Sequence, residues 1–449
     1  MKKAIKSVAG AGKGSRHQPI VDEAGDLRFE IEDANHHSLP DYPSLEHHDS
    51  SPNAATSNFP ARILFSSILI TAAVTFSVLH WNGNSPAGPY LFSEKLEFAP
   101  LPSTHETITS IAFGSCNHQD FPQVAWDTIA SMHPNITILA GDNVYADCAS
   151  VESCPTDLKS AYEKQMSNPS FMGAMKMLPV IATLDDHDYG INSADHLNPH
   201  KDLAKDYFFD FFDIPQSDER RQRSGVDGVY TSYMYGNEKE GLVQIILLDA
   251  RYSRSRNGEA EETMLGDAQW MWLCDQFSRP ADVRLVVSSV QVIATGHPFE
   301  CWYVISPKEQ ERLYDLIGDP SNKGTTVILS GDRHVGGIYR HNLNESKING
   351  KNSSIIEITS SSFTHTIPII PDSKFCHTPG GTTPEECDEP DPERLNPYVR
   401  VNHFGFLSID WNSRVLIASL ARADSTDVTH PSHNSPDNGE ALQKIKIEF

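Results

Sequence analysis

The stretch VILSGDRH, residues 327–334, predicts a buried β-strand whose carboxyl end presents Asp332 and His334. Its first residues are apolar and partly β-branched, whereas its last residues carry side chains that can bind metal ions. Two earlier segments, residues 136–145 and 178–188, have the same form and also carry acidic residues after the apolar run. In an open α/β sheet, ligands bind outside the carboxyl ends of the strands. The three segments therefore predict a metal site at one edge of a sheet.

Short apolar runs continue to the end of the chain, with helical patterns such as Ala268–Phe277 and Pro307–Ile317 between several of them. Strands that are buried on both faces and alternate with helices predict an α/β domain built in layers. We expect this domain to span residues 106–449. The runs are Ile108–Phe113, Ile136–Ala140, Val180–Thr183, Val243–Leu248, Leu285–Val290, Val327–Leu329, Ile355–Thr359, Phe406–Trp411, Val415–Ala421 and Ile445–Phe449.

Three further segments precede the domain. Residues 1–60 are polar and lack sustained periodicity, which is typical of a disordered arm. Residues 61–81 contain the uncharged apolar stretch 63–81, and roughly 20 such residues suffice to cross a bilayer as a helix. The long polar region before this stretch favours an uncleaved signal-anchor over a cleaved signal peptide. Residues 82–105 contain several prolines and predict a linker.

Charges around the apolar segment predict its orientation. Arg62 lies directly before it, and the first basic residue after it is Lys95. Because basic residues tend to remain in the cytosol, we expect the N-terminus on the cytosolic side. The protein is then a single-pass membrane protein whose catalytic domain is lumenal or extracellular.

The composition argues against one class of partner and indicates a cellular compartment. The formal net charge of −24 argues against a nucleic-acid-binding surface, which needs a basic stripe. Among the seven cysteines, Cys148 with Cys154 and Cys376 with Cys387 lie close enough in the sequence to suit local disulfides. Such disulfides form in an oxidising compartment, in agreement with the predicted topology.

Five strand ends carry residues that can take part in metal chemistry. Carboxylates suit hard cations, imidazole suits borderline metals, and a thiolate or phenolate beside them favours a redox-capable or trivalent ion such as iron. Any one of these residues alone is more often a turn former or a helix cap, but their recurrence predicts a metal centre. The residues are Cys116, Asp142 with Tyr145, Asp186 with His187, Asp249 with Arg251, and Asp332 with His334.

Several motifs together resemble the alkaline phosphatase D (PhoD-like) family. They are Phe113–Cys116, Gly141–Asp147, Asp185–Gly190, Leu248–Arg254, Ser288–Val292 followed by Glu300–Trp302, and Ser330–His334. The resemblance spans residues 108–425. It implies the calcineurin-like metallophosphoesterase architecture, a layered β-sandwich flanked by helices. It also implies hydrolysis of phosphate esters by a metal-activated hydroxide at a dinuclear iron–calcium centre.

The resemblance also implies individual roles. It makes Cys116 and Tyr145 iron ligands, Asp142 the residue that bridges the metals, and Asp186, Asp332 and His334 the remaining ligands. It further implies that Arg251 binds the phosphate. His187 is placed to stabilise or protonate the leaving oxygen, a role in which His is the commonest side chain.

Some assignments stay open at this point. Asp185 is the alternative to Asp186 as a ligand, and other divalent metals are alternatives to iron and calcium. Asp147 and Asp188 are interpreted as supports of the ligands. Arg254 and His297 are interpreted as surface residues.

The pattern departs from the family at Leu184, where the family usually has Trp, and at residues 302–307. The expected substrates are small-molecule phosphate esters, and the choice between monoester and diester is open. One alternative function is a glycosyltransferase of the secretory pathway, which would use the acidic pair Asp186 and Asp188. It leaves Cys116 and Tyr145 unexplained. The other alternative is a catalytically inactive surface protein that keeps the fold.

Overall fold

The computed structural model describes residues 19–21, 27–29, 91–92, 96–223, 227–297, 300–343, 354–367, 388–423 and 439–449. The chain divides into two compact units, residues 1–88 and 89–449. In the first unit, β1 (Pro19–Val21) pairs antiparallel with β2 (Leu27–Phe29). This pair is the part of the predicted arm that the structure describes. The predicted membrane segment, residues 61–81, lies outside the described residues.

The second unit contains the layered domain. Its strands are β3 (Ser110–Gly114), β4 (Ile136–Ala140), β5 (Val180–Thr183), β6 (Thr231–Asn237), β7 (Gly241–Leu247), β8 (Val283–Ser288), β9 (Thr325–Ser330), β10 (Gly336–Asn342), β11 (Ser354–Ser360), β12 (His403–Asp410), β13 (Val415–Arg422) and β14 (Ala441–Glu448). Its helices are α1 (Ala125–Met132), α2 (Cys154–Met166), α3 (Pro169–Met175), α4 (Lys201–Phe211), α5 (Glu219–Gln222), α6 (Gly266–Phe277), α7 (Trp302–Ile305) and α8 (Pro307–Gly318).

These strands form two six-stranded sheets, with orders β10-β11-β9-β8-β7-β6 and β14-β13-β12-β3-β4-β5. In the first sheet β7, β8, β9 and β11 run parallel, and in the second β3, β4 and β5 run parallel. The remaining strands pair antiparallel at the sides of these groups. Both sheets are therefore mixed, and each has a parallel part whose strands end on one side.

Alternate residues of a strand serve two different cores. In β8, Val283, Leu285 and Val287 lie in a core that also contains residues of β3 and β4 from the other sheet. Val286 points the opposite way, into a core shared with α6 and α8. A third core joins α1, α2 and α4 to β3, β4 and β5. Since side chains alternate between faces along a strand, strands covered on both faces are apolar throughout. The predicted sandwich with flanking helices is confirmed.

Every predicted strand and helix corresponds to an observed element of the second unit, and two strands of this unit were not predicted. The predicted bounds of β4 and β5 agree with the structure, and α6 and α8 lie where helices were predicted. The strands β6 and β10 were not predicted. Both lie at an edge of their sheet, where the strand is covered less completely and its sequence is less apolar.

Other predictions have separate outcomes. The disulfide between Cys148 and Cys154 is confirmed, with an S–S distance of 2.01 Å, whereas the pair Cys376 and Cys387 lies outside the described residues. Phe92, which falls within the predicted linker, is buried in the core beside α2 and α4. Across the described ranges, no helix has both the length and the apolar composition that a membrane span requires.

Candidate metal centre

The predicted site residues follow the carboxyl ends of β3, β4, β5, β7 and β9 directly. Because β3, β4 and β5 are parallel neighbours, the residues after them gather at one edge of their sheet. The same holds for β7 and β9, which flank β8 in the other sheet. A hydrogen bond from the Asn117 N–H to the Asp142 carbonyl, 2.9 Å long, ties two of these loops together.

Four of the predicted ligands have left-handed backbone conformations. The φ angles are 61° at Cys116, 51° at Asp142, 71° at Asp332 and 51° at His334. In this region a residue other than glycine costs on the order of 1–3 kcal/mol, and such strain concentrates at functional sites. The conformation changes the direction of the chain after each strand.

The first part of the centre is a thiol–phenol cluster, formed by Cys116, Asp142, Tyr145 and His334. The Cys116 Sγ lies 3.4 Å from Asp142 Oδ2, and the Tyr145 hydroxyl donates to the same oxygen at 3.2 Å. The Tyr145 hydroxyl also lies 2.9 Å from His334 Nε2. All four side chains are buried. Sequence positions 116, 142, 145 and 334 therefore meet as predicted.

The second part is an acidic cluster, formed by Asp142, Asp185, Asp186 and Asp332. Carboxylate oxygens of Asp185, Asp186 and Asp332 lie within 4.8 Å of one another. The same limit holds for Asp142 and Asp186 with a ring nitrogen of His187. Asp142 thus belongs to both clusters. The choice between Asp185 and Asp186 as a ligand stays open, because both belong to the acidic cluster.

The ionisation of these groups is perturbed by their burial. The pKa of the Cys116 thiol is raised well above its ordinary value by burial and further by Asp142. Burial also raises the pKa of Asp142, and the charges of Asp185 and Asp186 add to this shift. The pKa of Asp332 is raised as well, with burial as the largest cause. Since a bound cation stabilises the charged form of each group, the cluster is suited to a site whose charge is balanced by metal.

The residues fit the metals that the family implies. Among the described residues nothing donates a hydrogen bond to Asp142 Oδ1 or Asp185 Oδ2, although both oxygens are buried. A buried oxygen without a hydrogen-bond donor lowers stability by roughly 1–3 kcal/mol, and a bound cation would offset this cost. The thiol, phenol and imidazole donors suit iron, whereas the acidic cluster offers only oxygen, which calcium prefers.

His187 lies at the rim of the two clusters. Its Nδ1 is 2.7 Å from Asp147 Oδ1, so Asp147 supports the predicted catalytic histidine, whereas the sequence predicted that it supports a metal ligand. The Tyr145 ring lies between two imidazoles, with ring centroids 4.1 Å away at His187 and 4.5 Å away at His118. The His365 ring lies 4.2 Å from that of His334. Neither His118 nor His365 was predicted, because each lies in an irregular segment without periodic signal.

Arg251 is fully buried among carboxylates. Its guanidinium pairs with Asp185 and Glu300, and lies 2.6 Å from an oxygen of Asp332 and 3.6 Å from one of Asp186. Burial alone would lower the pKa of Arg251, but these four carboxylates reverse the effect and raise it. Arg251 therefore acts in this structure as a counter-ion within the acidic cluster. Its role in binding phosphate stays a prediction.

Two residues that were placed at the surface are buried, and those predictions were wrong. Arg254 lies 2.6 Å from Glu300 and donates to the carbonyl of Ser193 at 3.0 Å. His297 Nδ1 lies 3.0 Å from the Glu300 N–H. Both residues therefore hold Glu300 in place, and Glu300 in turn holds Arg251. In the sequence, only the position of Glu300 within a motif of the family resemblance indicated that it belongs to the site. The resemblance predicted no role for Glu300.

Comparisons with known proteins give a family match and matches to solved structures. The model of the PhoD-like phosphatase family matches residues 111–420. A solved structure described as that of PhoD has a TM-score of 0.54 and 16% sequence identity, and the match covers 71% of this chain and 67% of that one. A dimetal phosphatase from Danio rerio has a TM-score of 0.39 and 8% identity over 77% of this chain and 100% of its own. No curated protein gives a significant match.

At 16% identity, the structural likeness to PhoD shows the shared fold. The family match extends over more than half of the chain, in the region that carries all the site residues. It also removes the glycosyltransferase alternative. The chain belongs to the PhoD-like phosphatase family and is a phosphoric ester hydrolase.

Proposed function

We propose that this protein hydrolyses small-molecule phosphate esters, monoesters or diesters, with iron and calcium bound at the thiol–phenol and acidic clusters. The observation that supports this most directly is the convergence of a thiol, a phenol and an imidazole on Asp142, which the acidic cluster shares. Other divalent ions in place of calcium are compatible with the oxygen donors.

When bound, such metals supply Lewis-acid stabilisation of the phosphoryl oxygens and a water whose pKa is low enough for attack at neutral pH. The protein's own residues position the metal ligands and transfer the proton. Asp142 holds the two clusters together, and His187, oriented by Asp147, protonates the leaving oxygen. Arg251 keeps Asp185 and Asp332 in position and offsets negative charge on the transferring group.

Replacing Cys116 by alanine tests the metal assignment. We expect the iron content of the purified protein to fall below about a tenth of that of the wild type, and turnover of an aryl phosphate to fall on the order of 10²-fold, because a soft anionic ligand is lost. Iron is measured by elemental analysis and turnover by release of the phenol. The matched control is Cys274→Ala, since Cys274 is an exposed free thiol on α6. Unchanged iron together with unimpaired turnover in Cys116→Ala would contradict the proposal, and a wild-type protein without iron would favour an inactive relative.

We further propose that residues 61–81 anchor the protein in a membrane by one helix, with the catalytic domain lumenal or extracellular. The uncharged apolar stretch and the basic residues before it support this orientation. The disulfide between Cys148 and Cys154 is compatible with an oxidising compartment.

Protection from protease tests this topology. When the full chain is synthesised with microsomes, we expect the domain to resist added protease and to remain with the membranes after alkaline extraction. A variant with Ile70→Arg and Val74→Arg should be extracted, because each charge at the helix centre costs about 2.5–3.5 kcal/mol. Digestion of the wild-type domain in intact microsomes would refute the orientation, and alkaline extraction of the wild type would refute the anchor.

A further inference from the structure

We propose that the disulfide between Cys148 and Cys154 is a redox-sensitive support for His187, acting through Asp147. This inference rests on the proposed function, in which His187 protonates the leaving oxygen. It concerns the regulation of that site, and it follows from the position of the disulfide in the chain and in space.

The link between Asp147 and His187 depends on the loop that carries Asp147. The side chain of Asp147 is 56% exposed, whereas that of His187 is 8% exposed. An exposed partner in an ion pair is usually held weakly, because solvent competes and the side chain loses freedom. Asp147 also has a left-handed backbone with a φ of 40°. Its carboxylate therefore reaches His187 Nδ1 only while the backbone of this loop keeps its conformation.

The disulfide touches both sides of this pair. Cys148 directly follows Asp147, and its N–H donates to the carbonyl of Gly190 at 2.8 Å. The Gly190 N–H donates in turn to the carbonyl of His187 at 3.0 Å. A Cβ atom at Gly190 would lie only 2.5 Å from the sulfur of Cys148 and 3.0 Å from that of Cys154. The disulfide thus packs directly against the turn that follows His187.

The far end of the disulfide is anchored in the core. Cys154 is the first residue of α2 and is fully buried. Cys148 is half-buried, and the residues between the two cysteines are largely exposed. Exposed hydrogen bonds within this loop, such as that of the Ala149 N–H to Asp157 at 3.1 Å, add little stability. Backbone hydrogen bonds from Ala146 to the His187 carbonyl and from Cys148 to the Gly190 carbonyl hold the loop that carries Asp147 against the His187 turn. The disulfide adds a covalent connection from this loop to the buried start of α2.

A dithiol reductant can open this connection from the solvent side at Cys148. The S–S bond breaks and two S–H groups form. The dithiol becomes a disulfide and supplies both electrons and both protons. The loop then gains conformational freedom, and Asp147 orients His187 for a smaller fraction of the time.

Kinetics on two esters test this proposal with the metal-loaded protein. An alkyl phosphate has a poor leaving group that needs a proton, whereas p-nitrophenyl phosphate has a good one that does not. After treatment with dithiothreitol and its removal, we expect kcat on the alkyl ester to fall about tenfold. We expect kcat on the aryl ester to change less than about twofold, with KM unchanged for both. Re-oxidation should restore the original ratio of the two rates.

Variants test whether the effect of the reductant comes from this disulfide or from another cysteine. Cys148→Ser with Cys154→Ser should show the reduced ratio from the start and no response to reductant, and Asp147→Asn should show a similar ratio. Cys274→Ser should behave as the wild type. Metal content is measured in every sample, and peptide mapping of alkylated cysteines verifies that the bond has opened.

Two results would overturn the inference. One is an unchanged ratio of alkyl to aryl turnover after the bond has been shown to open. The other is an equal fall on both esters with loss of metal, which would mean that the loop supports the whole centre. Failure of the proposed function is distinguishable, because the oxidised, metal-loaded protein would then be inactive on both esters.

Discussion

Replacing Asp142 by asparagine is expected to lower kcat/KM for an aryl phosphate on the order of 10³-fold. Asp142 belongs to both clusters, since one of its oxygens contacts Cys116 and Tyr145 while the other is buried without a donor among the described residues. Asparagine keeps the size of the side chain but removes its charge and one acceptor. The variant can therefore hold one metal weakly, or neither.

The measurement is steady-state kinetics together with metal analysis on the same preparation. Asp275→Asn is the matched control, because Asp275 is an exposed residue of α6 and belongs to none of the site motifs. Wild-type turnover with an unchanged metal content in Asp142→Asn would remove the metal centre from the proposed reaction. In metal-free protein the same variant should be slightly more stable than the wild type, since it avoids the cost of burying a charge and the repulsion from Asp185 and Asp186.

Replacing Arg251 by glutamine is expected to lower the free energy of unfolding by about 3–5 kcal/mol, the usual cost of removing one partner from a buried ion pair. The guanidinium is enclosed by Asp185, Glu300 and Asp332. Without it, these carboxylates repel one another in a site that excludes water. We also expect kcat/KM to fall about 10²-fold, because the ligands lose their arrangement.

Urea denaturation monitored by tryptophan fluorescence gives the stability change. The control is Arg256→Gln, whose ion pair with Asp195 leaves the arginine 58% exposed and which should cost less than about 1 kcal/mol. If Arg251 contacts only the phosphate, the variant should keep the wild-type stability and metal content. Its KM and its inhibition constant for inorganic phosphate should then rise instead. That result would support phosphate binding by Arg251, the role that the family resemblance implies.

The core strands were predictable because they are covered on both faces. The sequences of β4, β8 and β9 consist mostly of apolar or β-branched residues, so that all three strands were predicted. The predicted bounds agree at β4, whereas β8 begins two residues earlier than predicted and β9 extends beyond the predicted residues at both ends. The edge strand β10 begins with Gly336 and Gly337 and ends in polar residues. This segment forms a strand because it pairs with β11. A pattern among neighbouring residues cannot show a pairing with another segment of the chain.

The site residues also differ in how well the sequence predicts them. Asp142, Asp332 and His334 were found because each directly follows a recognisable strand. Glu300, His118 and His365 come from irregular segments, and only the folded chain brings them to the clusters. The burial of Arg254 was missed for the same reason, since its partner is a distant carboxylate.

The left-handed backbone at Cys116, Asp142, Asp332 and His334 has a consequence for laboratory evolution. Glycine adopts this conformation freely, so a glycine at any of the four positions would relax the chain while deleting a ligand. A selection for heat resistance alone would thus reward the loss of the centre, one residue at a time. Thermostable variants of this enzyme should be sought with activity as a second criterion in every round.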